Sequence, residues 1–245
     1  MVTHRRRSFL AGAALAAGSA LGAGQQTKRA SGAPATFTPR AQRLPREVWI
    51  GTISLAGLQA NSSDAMTEQV LGLMKQMVPQ EPDVICLPET VTVANVRGAV
   101  SPLSERAEEG IGQAAAPFAD FAREHHCYVV CPIHTKQGDR FFNSAMFIDR
   151  QGKMLGRYHK MHTTTGEMGK GVAPGPLEPP VFETDFGKVG AQICFEMEWQ
   201  DGWKKLEDAG AEIVFWPSAF AGGAMVNAKA WQHRYCVVSS TWKNT

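Results

Sequence analysis

The sequence predicts an α/β protein with a substantially buried sheet. Its folded part opens strand, helix, strand, the order of a layered βα unit. Several strand candidates are short continuous apolar runs, such as residues 83–87 (DVICL) and 212–217 (EIVFWP). A strand with one solvated face would alternate instead. The 245 residues, 44% of them hydrophobic, suffice for one full-sized domain with a sizeable core.

Residues 1–46 stand apart from this pattern. They carry eight Lys or Arg and no acid, which leaves 17 basic against 23 acidic residues, a net charge of −6, for the remainder. The folded part is mildly acidic, so a general affinity for nucleic acid or other polyanions is not expected. Arg5-Arg6-Arg7-Ser8-Phe9-Leu10, followed by an Ala/Gly/Leu run over residues 11–23, resembles a bacterial twin-arginine signal peptide. That resemblance implies a signal over residues 1–23 and export of a folded protein to the periplasm or beyond. Thirteen residues are too few to span a bilayer, which takes about 20; an uncleaved amphipathic anchor is the alternative. Residues 24–46 are Ser/Pro/Thr/Ala-rich and read as a flexible linker.

The folded domain is expected over residues 47–245. Residues 47–55 (EVWIGTISL) have the β-branched and aromatic content of a first strand. Ser62 or Ser63 caps a helix in which Met66, Val70, Leu73, Met74 and Met77 recur at helical spacing, and Pro79 and Pro82 stop it. Residues 83–87 form the second strand, which Pro88-Glu89-Thr90 leaves at its carboxyl end. Residues 92–112 read as a polar surface excursion over the sheet rim. Pro117 fits a first helical turn, Phe118, Phe121 and Ala122 face inward, and His125-His126 closes that helix. Residues 127–133 and 141–149 are the third and fourth strands. Arg150-Gln151-Gly152 turns the chain into a fifth, over residues 153–158, as a hairpin.

A basic, Gly-rich loop follows over residues 159–175. A second hairpin, residues 181–183 and 188–193 around Thr184-Asp185-Phe186-Gly187, delivers Cys194. Residues 199–209 are expected to be helical and ended by Gly210, residues 212–217 a strand, 225–235 a helix, and 236–240 the start of another strand.

Three of these strand ends carry the chemistry. A free cysteine has a pKa near about 8.5, so a nucleophilic Cys194 needs a neighbouring base or cation. Glu89 and Lys160 supply one of each. Taken alone, each has an ordinary structural reading: a core cysteine, a loop acid, a solvated hairpin edge. Their joint occurrence makes the functional case. Cys86, Cys127, Cys131 and Cys236 read as core residues. His125-His126-Cys127 with Cys131 lacks the paired C-x-x-C form of a zinc site, and no metal is expected. His159 and His162 are candidate pocket residues, and Trp216 fits either a substrate wall or the core. Five cysteines are too few and too irregular for a disulfide framework.

Leu87-Pro88-Glu89, then Tyr158-His159-Lys160-Met161-His162, then Gln192-Ile193-Cys194-Phe195-Glu196 stand in the order of the carbon-nitrogen hydrolase, or nitrilase-like, superfamily, which the chain resembles over roughly residues 48–240. The resemblance implies a four-layer αββα sandwich with a Glu89-Lys160-Cys194 triad and no cofactor. Glu89 would be general base and acid, Lys160 would stabilise the oxyanion with the backbone N–H of Phe195, and Cys194 would form a thioester. Glu167, seven residues past Lys160, matches a second glutamate that many relatives have there, expected to position Lys160 and the attacking water. Glu196 is left outside the triad.

The implied function is hydrolysis of a non-peptide C–N bond in an amide or N-carbamoyl compound. Nitrile hydrolysis, N-acyl transfer and a silent binding protein are the alternatives. The family usually continues through further strands and a tail used in subunit contacts. This chain is therefore expected to lack the last C-terminal strands, to leave a sheet edge exposed, and to form a homo-oligomer. No single cation or aromatic in the loops over residues 92–112, 162–175 and 219–225 selects a ligand class.

Overall fold

The computed structural model describes residues 46–243. The signal-like segment and all but the last residue of the linker lie outside the described residues. Two sheets form the centre. The first has five strands in the order β1 (Ile50–Thr52), β2 (Val84–Cys86), β3 (Tyr128–Gln137), β4 (Arg140–Ile148) and β5 (Met154–His159), the first three parallel and the last two antiparallel. The second has four, β6 (Phe182–Thr184), β7 (Gly187–Ala191), β8 (Ile213–Ser218) and β9 (Cys236–Thr241), with only the β6–β7 pair antiparallel.

Side-chain alternation along the strands explains the layering. Val84, Cys86, Val130 and Phe147 of the first sheet share one core with Val189, Ala191, Ile213 and Phe215 of the second. The residues between them point the other way. Ile85, Leu87, Val129 and Cys131 pack with α1 (Ser63–Met77) and α3 (Ala116–His125), and Val214 and Trp216 pack with α5 (Asp201–Asp208). The inner strands β2 and β8 are buried on both faces because each face meets a layer. The expected αββα sandwich follows. Gly190 of β7 is set by this packing, since a Cβ there would come within 2.5 Å of Leu206 on α5.

The helices begin and end as their sequences require. The Ser62 hydroxyl accepts the Ala65 N–H at 3.2 Å, and Met66, Val70 and Met74 are the buried face of α1. Pro117 occupies the first turn of α3, and His126 ends that helix at φ +50°. The remaining helices are α2 (Leu103–Arg106), α4 (Thr165–Met168) and α6 (Ala224–His233).

Several boundaries differ from expectation, for local reasons. The first strand spans three residues where nine are expected. Asp83 takes the Trp49 N–H on its carboxylate, and after Thr52 the chain crosses to the other sheet, where Leu55 N–H donates to the Thr241 carbonyl. The third strand runs on to Gln137 because a tight turn at Gly138 (φ +58°) brings β4 back alongside it. The excursion over residues 92–112 is anchored as well as exposed. Val91, Ala94, Leu103 and Ala107 are buried, Glu108 pairs with Thr135 of β3, and its carboxylate accepts the N–H groups of Gly112, Ala114 and Ala115. Cys86, Cys127 and Cys131 are buried, but Cys236, at the first position of edge strand β9, is exposed. Among the described residues no helix is long and apolar enough to cross a membrane, and no His, Cys, Asp or Glu side chains group as metal ligands.

Truncating Phe215, which is fully buried between the sheets, tests this layering. Phe215→Ala is expected to cost about 3–5 kcal/mol of unfolding free energy, read from the urea midpoint. A loss under about 1 kcal/mol would contradict the burial.

Candidate active site

The three predicted residues converge on a cavity of about 530 Å³ lined by Glu89, Asn143, Lys160, Glu167 and Cys194 together with neighbouring loop, strand and helix residues. Glu89 follows β2, and its position is fixed through the main chain. Leu87 N–H bonds Val130, Val91 N–H bonds Pro132, and the Trp242 indole N–H donates to the Glu89 carbonyl at 2.5 Å. Lys160 directly follows β5. Its own N–H bonds the Asn143 carbonyl at 2.9 Å, and its carbonyl accepts Gly175 N–H at 2.7 Å. A lysine placed by its backbone in this way extends its ammonium into the cavity with little freedom left to lose.

That ammonium is almost completely buried, at 1% exposure. It donates to Glu89 Oε1 at 3.0 Å and to the two Glu167 oxygens at 3.1 and 2.9 Å. Burial alone would drive its pKa down; the Glu89 and Glu167 carboxylates outweigh that and hold it raised, so it stays charged. Glu167 sits on α4, a one-turn helix not expected within the loop over residues 159–175. Thr164 and Glu167 form a reciprocal capping box, with Glu167 N–H donating to the Thr164 hydroxyl at 3.1 Å and Thr164 N–H to Glu167 Oε2 at 2.8 Å. The Thr-x-x-Glu spacing is a sequence signal for such a helix start. Although burial opposes it, Lys160 and these donors hold the Glu167 carboxyl below its usual range.

Sequence reasoning missed Asn143. From the middle of β4 its side-chain N–H₂ donates to both carboxylates, to Glu89 Oε1 at 2.7 Å and to Glu167 Oε1 at 2.7 Å. Two carboxylates side by side would repel, and Asn143 with Lys160 supplies donors to both. An asparagine inside an otherwise apolar strand (FFNSAMFI) is the signal that was available.

Cys194 does not end a strand. β7 stops at Ala191, Gln192 N–H still bonds the Phe215 carbonyl, and Cys194 opens a 3₁₀ turn, Cys194–Glu198, at φ +53°. A left-handed backbone on a non-glycine residue costs of the order of 1–3 kcal/mol and persists only where surroundings enforce it. Here the Trp216 indole N–H holds the Cys194 carbonyl at 3.0 Å, which places Trp216 in the core as a support for the turn. The thiol shares the cavity with the Glu89 carboxylate, the Lys160 ammonium and Ala219. Burial first, then the Glu89 charge, push its pKa up to about 12, against the opposing pull of Lys160. At neutral pH the sulfur is therefore a thiol.

Glu196 ties the two halves of the site together. Its carboxylate, wholly buried, accepts the Tyr158 hydroxyl at 2.6 Å and the N–H groups of Met161 at 2.7 Å, His162 at 3.1 Å and Ile193 at 2.7 Å. One side chain thereby joins the loop carrying Lys160 to the turn carrying Cys194. His159 and His162 do not line the cavity. His159 bonds the Ser144 hydroxyl at 2.6 Å and stacks on Phe142, with its pKa pushed down to about 4 by burial, then by Arg157 and Arg140. His162 stacks on Trp199. The Phe195 ring is partly exposed against Trp199, so only its backbone faces the question of catalysis.

Removing the Glu196 carboxylate takes the acceptor from four donors, three of them buried. Glu196→Ala is expected to lose at least about 3 kcal/mol of unfolding free energy, with Glu196→Gln retaining more. An alanine variant as stable as the parent would contradict the clamp.

Comparison with known proteins supports the same reading. The carbon-nitrogen hydrolase family pattern matches residues 52–240. The chain is 32% identical to the β-ureidopropionase of Arabidopsis thaliana over 124 residues, 48% of this chain and 30% of that protein. It is 29% identical to a nitrilase of Pyrococcus abyssi over 149 residues, 60% and 55% of the two chains, and 35% identical to the mouse deaminated glutathione amidase over 107 residues, 40% and 32%. These matches span between about a third and a little over half of each relative's length. Among solved structures, an amidase from Nesterenkonia sp. superposes with a TM-score of 0.69 at 17% identity over 81% of this chain and 77% of that one. A carbon-nitrogen hydrolase from Helicobacter pylori does so at 0.66 and 18% over 79% and 73%. With its two sheets between helical layers and a family match over most of its length, the chain belongs to the carbon-nitrogen hydrolase family.

Proposed function

We propose that the protein hydrolyses the C–N bond of a small amide or N-carbamoyl compound through a thioester on Cys194. The observation that carries this reading is the convergence of the Cys194 thiol, the Glu89 carboxylate and the Lys160 ammonium on one cavity, with the ammonium donating to Glu89 Oε1 at 3.0 Å. Because the thiol is neutral, nucleophile and base act together. As Sγ bonds the carbonyl carbon, its proton passes to Glu89, and the C=O electron pair moves to oxygen. Lys160 and the Phe195 N–H, at the start of the 3₁₀ turn, face that developing charge.

Collapse of the tetrahedral adduct breaks the C–N bond as Glu89 returns its proton to nitrogen. Ammonia or an amine leaves and the acyl group stays on sulfur. Water then enters, gives a proton to Glu89 and attacks the thioester carbon, and the acid departs as Sγ takes the proton back. Glu167 and Asn143 are positioning residues in this scheme. They hold Lys160 and Glu89 in place through both steps.

Incubating the protein with a panel of simple amides and N-carbamoyl amines tests this directly. Ammonia or amine release, with a thioester mass adduct on the Cys194 peptide, is expected. Cys194→Ala should abolish release while the fold persists, and Lys160→Met should lower kcat by about 10²–10³-fold, the loss seen for one oxyanion donor. Undiminished turnover by Cys194→Ala would overturn the mechanism. Folded protein that releases nothing from any panel member would favour a silent binding protein.

A further inference from the structure

The wall of the same cavity holds a second polar group, Arg106, His134 and Lys170, distinct from the residues around the thiol. Arg106 ends α2, and the buried excursion sets it there: Leu103 and Ala107 pack inward and Glu108 bonds along β3, so the guanidinium meets the side chain of His134. Arg106 Nε donates to His134 Nδ1 at 3.4 Å, and the guanidinium also donates to the Ser101 carbonyl. Among the described residues no carboxylate lies within ion-pair distance of Arg106 or Lys170. His134 is pushed down to about 4 by burial, then by Arg106, so it is neutral near pH 7 and neutralises neither cation.

The charges of the cavity are thus unequal. Glu89 and Glu167 against Lys160 leave one net negative charge beside the thiol, whereas Arg106 and Lys170 leave two positive charges without a partner. A substrate anion is repelled from the first region and drawn to the second. A guanidinium with free N–H groups is suited to hold a carboxylate through paired hydrogen bonds. The methyl groups of Val93, Val100 and Val172 complete the lining with apolar surface that fits an aliphatic chain.

We infer that the cavity selects amides that carry a carboxylate on a short aliphatic chain, with the carboxylate on Arg106 and Lys170 and the amide carbon at Cys194. This rests on the hydrolase reading above and adds the substrate class and its orientation.

The test compares glutaramate with pentanamide, the same chain without the carboxylate. The intact protein should favour glutaramate in kcat/KM by about tenfold or more, the range of a charge-assisted hydrogen-bonded pair. The ratio should collapse towards one in Arg106→Gln, fall partway in Lys170→Gln, an exposed position that spares the fold, and be kept only in part in Arg106→Lys, which retains the charge but not the paired hydrogen bonds. Calorimetric binding to the Cys194→Ala protein separates the two claims. Glutaramate binding that depends on Arg106, without turnover by the intact protein, supports the anion site and sinks the hydrolase reading. Turnover with equal preference for the two amides, or equal binding of both to Cys194→Ala, overturns the anion site and leaves the hydrolase reading standing.

Discussion

The site depends on one buried ammonium shared by two carboxylates. Removing Lys160, Glu89 and Glu167 from water is unfavourable for each alone, and their mutual attraction offsets this only when the remaining donors and acceptors are also satisfied. Asn143 supplies the last donors, bonding both carboxylates at 2.7 Å. Removing Lys160 would leave two carboxylates without their cation, and removing Asn143 would take a 2.7 Å donor from each of them. The same contacts hold the Glu89 carboxylate in the cavity that the Cys194 thiol lines.

The sandwich exists in a form that makes this cluster possible. Glu89 comes from a parallel strand, Asn143 and Lys160 from an antiparallel hairpin in the same sheet, and Cys194 from the other sheet. Packing of the two inner faces alone would leave the register of those ends loose. Glu196 removes the slack, since one carboxylate bonds the main chain on both sides of the junction at Met161, His162 and Ile193. Its neighbour Cys194 can then be held at a strained φ of +53°, which turns the thiol out of the strand and into the cavity. Strain at Cys194 and over-determined bonding two residues later are two parts of one arrangement.

How far the sequence reaches is clear from particular residues. The parallel and hairpin strands were legible because runs such as DVICL and EIVFWP carry their burial on both faces, and Glu89, Lys160 and Cys194 were legible as strand-end residues in a recognisable order. The helix at Glu167 was signalled by Thr164 three residues before it, a local pattern overlooked beside the surrounding glycines. Asn143, Glu196 and Arg106 were not legible as a group, because each acts on residues 24 to 54 positions away: Asn143 on Glu89 and Glu167, Glu196 on Tyr158 and Met161, Arg106 on His134. Single-sequence patterns report a residue's own face and neighbours along the chain. The partners of a buried polar group are set by tertiary packing. The buried anchoring of residues 92–112 was missed for the same reason, since its apolar contacts are too sparse to give a period.

The central claim is that Cys194 rests as a neutral thiol, with Glu89 as the base that takes its proton when attack occurs. Peptide-resolved alkylation of Cys194 by iodoacetamide across pH tests it most directly. Burial and the Glu89 charge raise the thiol to about 12, so the thiolate fraction should climb by about tenfold per pH unit throughout the accessible range. The account predicts an alkylation rate that keeps rising past about pH 9, beyond the point where an unperturbed thiol levels off. A rate already on a plateau at neutral pH would mean that the thiolate is preformed beside Lys160, and would contradict the role given to Glu89.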